Sequence, residues 1–462
     1  MMSRNAIVFP EPSLEEIRSI LEEAPLVAVR QELTDRSIID ACDRCGHVWR
    51  NRVYNPIVTV FHFVAQAIQR ESSFAATWQD LWTPVVAAFP GCFTLNCDPS
   101  ALTHARARLP VAVMDALAGQ ACLKARQLRP FLWRKMRLVA LDACTVSMPG
   151  RQQLFDHFGT HRARSTAVHY PLATFASLLE VGSSLILDYR FGPYDPGEIS
   201  TATPLLAGLT EGDLLLGDRH FSNAPFLIRL RQRGAHFLMR KNARLIVERL
   251  PVIKRLGRND FITEIPISRP AKKNHPDLPE KVRARVFRAT WRSPDGRKVT
   301  EWFVTSLEDP KRFKKNTLAR LYHKRWRCET SYLEFKQTFH ADVLRSVTVD
   351  NVRKEFAAHI LAYQLVRLLM VHAGRRSAKK PTQLSTVNAA RWVLGLSRQM
   401  AAAPVHRLPG LYLALLDAIA SSELDIRPGR MEPRAISRER KHYPRLRIPR
   451  TMWREQQLRS AS

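Results

Sequence analysis

Residues 137–142 read RLVALD: four apolar side chains in a row, closed by an aspartate. A short apolar run that stops on a charge reads as a strand buried on both faces of a sheet. The same texture returns at 213–218, DLLLGD, again ending on an aspartate. Between the two lie LATFASLLEV (172–181), SSLILDYRFG (183–192) and a helix-like ISTATPLLAGL (199–209); after them come a helical APFLIRLRQRG (224–234) and a strand-like AHFLMRK (235–241). The order strand, strand, strand, helix, strand, helix, strand predicts an α/β core with a mixed sheet.

Outward from this core the pattern changes on both sides. Residues 13–130 show no strand alternation and read as helices, from SLEEIRSILEEA with its Ser-x-x-Glu capping box to the long periodic stretch 55–82. Residues 243–311 alternate as VRARVFRATW and KVTEWFVTSL around the turn SPDG, which predicts a β-rich insertion. Helical periodicity resumes at 321–339 and in VRKEFAAHILAYQLVRLLMVHAG (352–374), an amphipathic helix broken by charge. The expected organisation is a helical N-terminal DNA-binding domain over 1–132, a catalytic core over 133–242 and 312–375, the insertion over 243–311, and a helical segment with a basic tail over 376–462. Within that tail, residues 427–459 hold 11 Lys or Arg against three acids and several prolines, which predicts an extended chain suited to phosphate contacts.

Composition narrows the partners. The 462 residues carry 72 Lys and Arg against 42 Asp and Glu, a formal charge of +30, with pI near 10.6. Such a chain repels itself unless a polyanion offsets the charge, and nucleic acid is the expected partner. The N-terminus lacks the apolar stretch of a signal peptide, and runs such as 56–68 are too short to span a bilayer, so a cytoplasmic, nucleoid-associated protein is expected. Seven scattered cysteines argue against a disulfide framework. Cys42, Cys45 and His47, with Cys92 and Cys97, have spacing too loose for a structural zinc to be the expected reading.

The stretch LYHKRWRCETSYLEFKQTF (321–339) carries two stripes. At about 100° per residue, Leu321, Cys328, Tyr332, Phe335 and Phe339 share one face, the spacing of a core-facing helix. Tyr322, Arg325, Glu329 and Lys336 share a neighbouring arc. Taken alone, Arg325 and Glu329 are a surface i, i+4 pair worth a few tenths of a kcal/mol. Singly, Asp142 and Asp218 are loop carboxylates that cap a helix. Jointly, acids at the ends of two central strands and a third on a packed helix converge at one sheet edge, where α/β active sites lie. Three carboxylates form a hard oxygen site for Mg²⁺ or Mn²⁺.

These residues carry a resemblance. Asp142, Asp218 and Glu329, with the β-rich insert between the second and third acids, resemble DDE transposases with a ribonuclease-H-like core. Tyr322, Arg325, Glu329 and Lys336 match the Y-(2)-R-(3)-E-(6)-K signature of bacterial transposases of the insertion sequence 4 type. Segments such as LDACTVSMP, FGPYDPGE and GDLLLGDRHF are similar to family segments, and the likeness covers about residues 40–375. Ala143 stands where the family commonly has Gly, and His220 where it has a small or aromatic residue.

The resemblance implies catalysis by Asp142, Asp218 and Glu329 holding two Mg²⁺ ions, with Mn²⁺ as a substitute. It implies DNA contacts from Arg325, Lys336 and Tyr322, and base stacking by an aromatic residue of the insertion, Trp302 or Trp291. It further implies a homodimer on double-stranded DNA, the element's terminal inverted repeats and the target, with cut-and-paste transposition through a hairpin intermediate. Two other readings share these residues: a domesticated regulator that only binds DNA, and a structure-selective nuclease.

Overall fold

The computed structural model describes residues 12–50, 52–69, 73–89, 99–161, 170–195, 197–292, 298–424 and 452. The chain opens with six helices, α1 (Leu14–Glu23), α2 (Asp35–Arg44), α3 (Pro56–Ile68), α4 (Phe74–Ala88), α5 (Pro99–Arg108) and α6 (Val111–Gln127). The starts of the first four are set by polar N-caps: Ser13 with its Glu16 partner, Thr34, Asn55 ahead of Pro56, and Ser73 each accept a backbone N–H of the first turn.

A sheet follows: β1 (Leu132–Trp133), β2 (Met136–Ser147), then helix α7 (Gln152–Phe158), β3 (Leu172–Glu180), β4 (Ile186–Pro193), helix α8 (Glu198–Ala202), β5 (Asp213–Gly217), helix α9 (Ala224–Gln232) and β6 (His236–Arg240). In space the strands run β4, β3, β2, β5, β6. The first three pair antiparallel, while β2–β5 and β5–β6 are parallel. This is the ribonuclease-H-like mixed sheet. Every residue of β5 is buried, as its unbroken apolar run requires.

The predicted β-rich segment does not stand apart. It forms β7 (Lys254–Gly257), β8 (Asp260–Pro266), helix α10 (Arg269–Asn274), β9 (Lys281–Arg292) and β10 (Lys298–Thr305), and β10 pairs antiparallel with β6, so these strands prolong the same sheet. Arg285 of β9, fully buried, makes a two-pronged ion pair with Asp260 of β8 at 2.7 and 2.6 Å and donates at 2.7 Å to the Phe313 carbonyl beyond the insertion. A guanidinium buried so deeply is tolerable only with such partners. The SPDG turn lies outside the described residues.

The C-terminal helices are α11 (Lys315–Tyr322), α12 (Trp326–Thr338), α13 (Val349–Arg376), α14 (Thr386–Ala401) and α15 (Leu408–Ser421). The helix expected over 321–339 is therefore two helices joined by a 3-10 turn, His323–Arg325. Its apolar stripe holds: Leu321, Cys328, Tyr332, Phe335 and Phe339 are all buried. Helix α13 corrects the amphipathic expectation, because every residue from Phe356 to Val371 is buried. It is long and apolar enough to cross a membrane by length and composition, yet here it is the central core helix. Its polar groups are used inside the protein. Gln364 accepts from the Ile186 N–H at 2.9 Å and donates to the Ile186 carbonyl at 2.8 Å, Tyr363 donates to the Ser184 carbonyl at 2.7 Å, and Arg367 pairs with Glu334.

The N-terminal helices pack on the C-terminal ones. Helices α3 and α6 pack directly on α13, and one apolar core runs continuously from Leu26 through Phe175 and Phe335 to Ala420. Lys354 of α13, itself buried, donates to the carbonyls of Arg106, Ala107 and Leu109 at 2.7, 3.2 and 3.0 Å, closing the C-terminal end of α5 with a cation. Removing residues 1–130 would strip the cover from α13, because α3 and α6 share its apolar interior. The basic tail over 427–459 lies outside the described residues apart from Met452.

Phe335 is the anchor of α12 on this core, with ring centroids 5.4 Å from Phe175, 5.7 Å from Tyr363 and 5.9 Å from Phe356. Phe335→Ala is expected to lower unfolding stability by about 3–5 kcal/mol. Urea denaturation followed by circular dichroism measures it, and a loss below about 1 kcal/mol would mean that α12 is not seated by this stripe.

Candidate active site

Strand pairing places two of the acids side by side. Leu141 of β2 pairs with Gly217 of the parallel strand β5, so Asp142 and Asp218, the next residue of each, stand at the same level; the strand expected to close on Asp142 instead continues to Ser147 along β3, and only β5 ends there. Along β2, Leu138 and Ala140 face the core that contains α12 and α13, whereas Val139 and Leu141 face the other side. Alternation then turns Asp142 toward α12. Helix α12 presents Glu329 to the same place, because its neighbours Cys328 and Tyr332 are held against the sheet. The Tyr332 hydroxyl donates at 2.5 Å to the Asp142 carbonyl and lies 2.9 Å from the Ser177 hydroxyl, tying helix to strand at the position of the first acid.

Between the carboxylates sits Arg325, its side chain only 7% exposed. One guanidinium nitrogen bonds Asp142 at 3.3 Å and the other bonds Glu329. Arg240, at the end of β6, does the same for the remaining acid: it bonds Asp218 at 3.2 Å and stands 3.6 Å from Glu301 of β10. Among the described residues, no three His, Cys, Asp or Glu side chains close to metal-binding geometry. The trio expected to hold metal is thus gathered on one face but not preassembled. The reason is electrostatic: carboxylates brought together without a cation repel, and the arginines neutralise them. The chemistry of the donor set, hard carboxylates from three separate elements, fits Mg²⁺ or Mn²⁺, and the residue in the way is Arg325.

The acids are not equivalent. Burial pushes Asp142 up to about 6; the Ala143 N–H, which bonds it at 3.0 Å, and Arg325 pull the other way, while Glu329 and Asp218 add to the rise. At Asp218 burial also acts upward, but the Arg219 backbone N–H together with Arg240 and Arg325 outweighs it and the carboxyl falls below its ordinary range. Arg325 is disfavoured by burial, yet Tyr322, Asp142 and Glu329 together hold it firmly protonated. A cation facing several acceptors gains more than a carboxylate that also faces other acids.

The remaining expected residues divide. Tyr322 is buried with its ring edge-on to Phe303 at 5.3 Å, and Arg325 is buried with it, so neither lies on a solvated face. The Arg325–Glu329 pair exists, but as part of a buried cluster rather than a surface pair. Lys336 is half-buried beside Cys144, one strand turn from Asp142. Trp302 faces the opposite side of the sheet, edge-on to Phe261 at 6.5 Å, and is not brought to the acids. Trp291 is on the acids' side, 4.8 Å from His323.

His220 is exposed in the turn after Asp218. Cys42 is buried, its thiol pushed up to about 11 by burial and by the neighbouring Cys45. Cys92 and Cys97 lie outside the described residues. Arg240 and Glu301 were missed by sequence reasoning. The available signal was parity: Arg240 closes the strand next to Asp218, and Gly217 pairs with Met239.

The sequence profile of the family described as Transposase DDE domain matches residues 133–365, a span that contains all three acids. The chain is 27% identical over 354 residues to the transposase InsG for insertion sequence element IS4 of Escherichia coli strain K12, a match that spans 75% of this chain and 78% of that protein. A cryo-EM structure of the piggyBac transposase synaptic complex with hairpin DNA aligns with a TM-score of 0.45 at 12% identity, over 86% of this chain and 85% of that one.

The raised Asp142 has a thermodynamic consequence. Its folded value, about 6, lies above the ordinary 3.8, so its ionised form opposes folding: the penalty is complete above about pH 6 and absent below the ordinary value. Asp142→Asn is therefore expected to stabilise the metal-free protein at pH 8, by up to about 3 kcal/mol, and to do so progressively less as pH falls from 6 to 4. Melting curves in EDTA at the two extremes measure this, and a less stable variant at pH 8 contradicts the assignment.

Proposed function

The chain belongs to the family of transposases with a DDE domain, and from that premise we propose that it binds the ends of its insertion element, cuts the DNA strands there and joins them to target DNA, working as a homodimer. The observation that carries this reading is the convergence of Asp142, within β2 where its pairing with β5 ends, and Asp218, just past the end of β5, with Glu329 of α12 on one face of the sheet. In this reading the three carboxylates hold two Mg²⁺ ions, with Mn²⁺ as substitute. Bound there, such ions activate water or a 3′-hydroxyl and stabilise the leaving oxygen of a phosphodiester.

The protein's own groups set the conditions. Asp142, whose carboxyl pKa burial raises, would serve as a ligand in its ionised form, with a bound cation taking over the charge compensation that Arg325 now provides. Arg325, released from Asp142 and Glu329, offers a planar two-pronged donor to a phosphate of the cut strand, and Lys336 on the same arc supplies a mobile point charge. Arg240 keeps Asp218 ionised. Tyr322 supports Arg325 from below, its ring 5.9 Å from the guanidinium carbon. The route through hairpin ends and base stacking by Trp291 or Trp302 rest on the family resemblance.

Asp142→Asn, Asp218→Asn and Glu329→Gln are each expected to reduce cleavage of a supercoiled plasmid bearing the element's ends to background while leaving binding to those ends within a few-fold. The assay is run with Mg²⁺ and the binding measured in EDTA. Full cleavage by any one variant removes that residue from the site, and full cleavage by all three removes the catalytic reading.

A further inference from the structure

A cleft of about 300 Å³ lies far along the chain from the three acids, between the loop that joins α2 to α3 and the C-terminal end of α5. Its walls include Arg50, Arg52 and Arg108, all exposed, with His47, Trp49 and the first turn of α3. Among the described residues none of these arginines makes an ion pair, whereas most of the arginines near the acids do, and no carboxylate lines the cleft. Three exposed guanidinium groups around one concavity, with no carboxylate among its lining residues, make a local positive potential that attracts an anion. The N-terminus of α3, a helix of 13 residues capped by Asn55, adds its partial positive charge to the same wall.

The other groups favour a polymer over a small ion. Trp49 is half-buried against the main core and stacks on His47 at 5.9 Å, so an aromatic plate is held rigidly beside the arginines. Burial, and then Arg108, lowers the His47 pKa, which keeps a neutral ring able to donate or accept. Next to it Val48 is 92% exposed, an apolar tip at the mouth of a cationic cleft. Guanidinium groups for phosphates, with apolar and aromatic groups for sugar and base edges, is the composition of a DNA-backbone contact.

The cleft is also fixed relative to the acids. Lys354 clamps the carbonyls of Arg106, Ala107 and Leu109, on either side of Arg108, to the first turns of α13, the helix packed behind α12. A phosphate held by Arg108 would therefore keep a set distance from Glu329.

We infer that this cleft binds the sugar–phosphate backbone of duplex DNA, holding the element away from the point of cutting. The identity of the polymer as DNA rests on the proposed function; the anion site itself does not. The test is a salt titration of duplex binding, in EDTA and with the full-length protein, comparing wild type with Arg50→Gln/Arg52→Gln/Arg108→Gln. A control, Lys273→Gln/Arg391→Gln/Arg407→Gln, removes three exposed cations elsewhere.

The cleft variant is expected to keep the wild-type melting temperature and to lower the slope of log affinity against log salt by about 2–3 units. The control is expected to change the slope by less than about one unit. Equal slopes for wild type and cleft variant, or equal losses in cleft variant and control, overturn the proposal while leaving the cleavage reading intact. Inhibition of the cleft's contribution by millimolar inorganic phosphate alone, with no preference for duplex, would reduce it to a small-anion site and overturn the DNA assignment, as would stronger binding of RNA. Wild type that binds no duplex at all overturns this assignment together with the proposed function.

Discussion

The seat of α12 on the sheet is the constraint from which the site follows. Phe335 enters a cluster with Phe175, Phe356 and Tyr363, and the Tyr332 hydroxyl bonds the carbonyl of Asp142 itself. With those two points fixed, helical geometry leaves Glu329 no choice of direction, one position on from the buried Cys328. The apolar stripe and the carboxylate are therefore parts of one device: packing energy that stabilises the fold also holds a third acid against two that are placed by strand pairing.

Bringing those acids together creates an electrostatic cost, and the structure shows how it is met. Arg325 spans Asp142 and Glu329; Arg240 spans Asp218 and Glu301. Each guanidinium matches carboxylate geometry with two donors and is retained where a lysine would be more heavily hydrated. The compensation is incomplete at Asp142, which burial drives up to about 6, and complete at Asp218. A site balanced in this way stores unfavourable charge within a fold that is stable elsewhere, the usual trade of stability for function.

The helices before residue 130 are bound into the same architecture. Because α3 and α6 cover α13, and Lys354 fixes the end of α5, the cationic cleft at Arg108 and the acids on the sheet are joined through one packed core. The insertion is absorbed likewise, since β10 pairs with β6 and Arg285 bridges to Asp260 and Phe313.

Much of this was legible in the residue order. Strand identity showed in the runs around Asp142 and Asp218, because strands buried on both faces are apolar without interruption, and the helical stripe of α12 showed in its spacing. Both are local properties, and local physics writes them into sequence. What sequence could not decide is which surfaces meet. That residues 1–132 are helical shows in their texture, but what covers α3 and α6 is decided by their partner, α13, more than 200 residues away. Helix α13 read as amphipathic because Lys354, Gln364 and Arg367 look like a solvated face; each is in fact buried against a carbonyl or a carboxylate supplied by a distant segment. Arg240 and Glu301 were invisible for the same reason, and Arg325 looked like half of a surface pair because Asp142, 183 positions away, reaches it only through the fold. Sequence alone determined most of the elements and marked out the three carboxylates; tertiary structure decided their charge partners, because a charge is compensated by whatever lies within a few ångströms in space, wherever it lies in the chain.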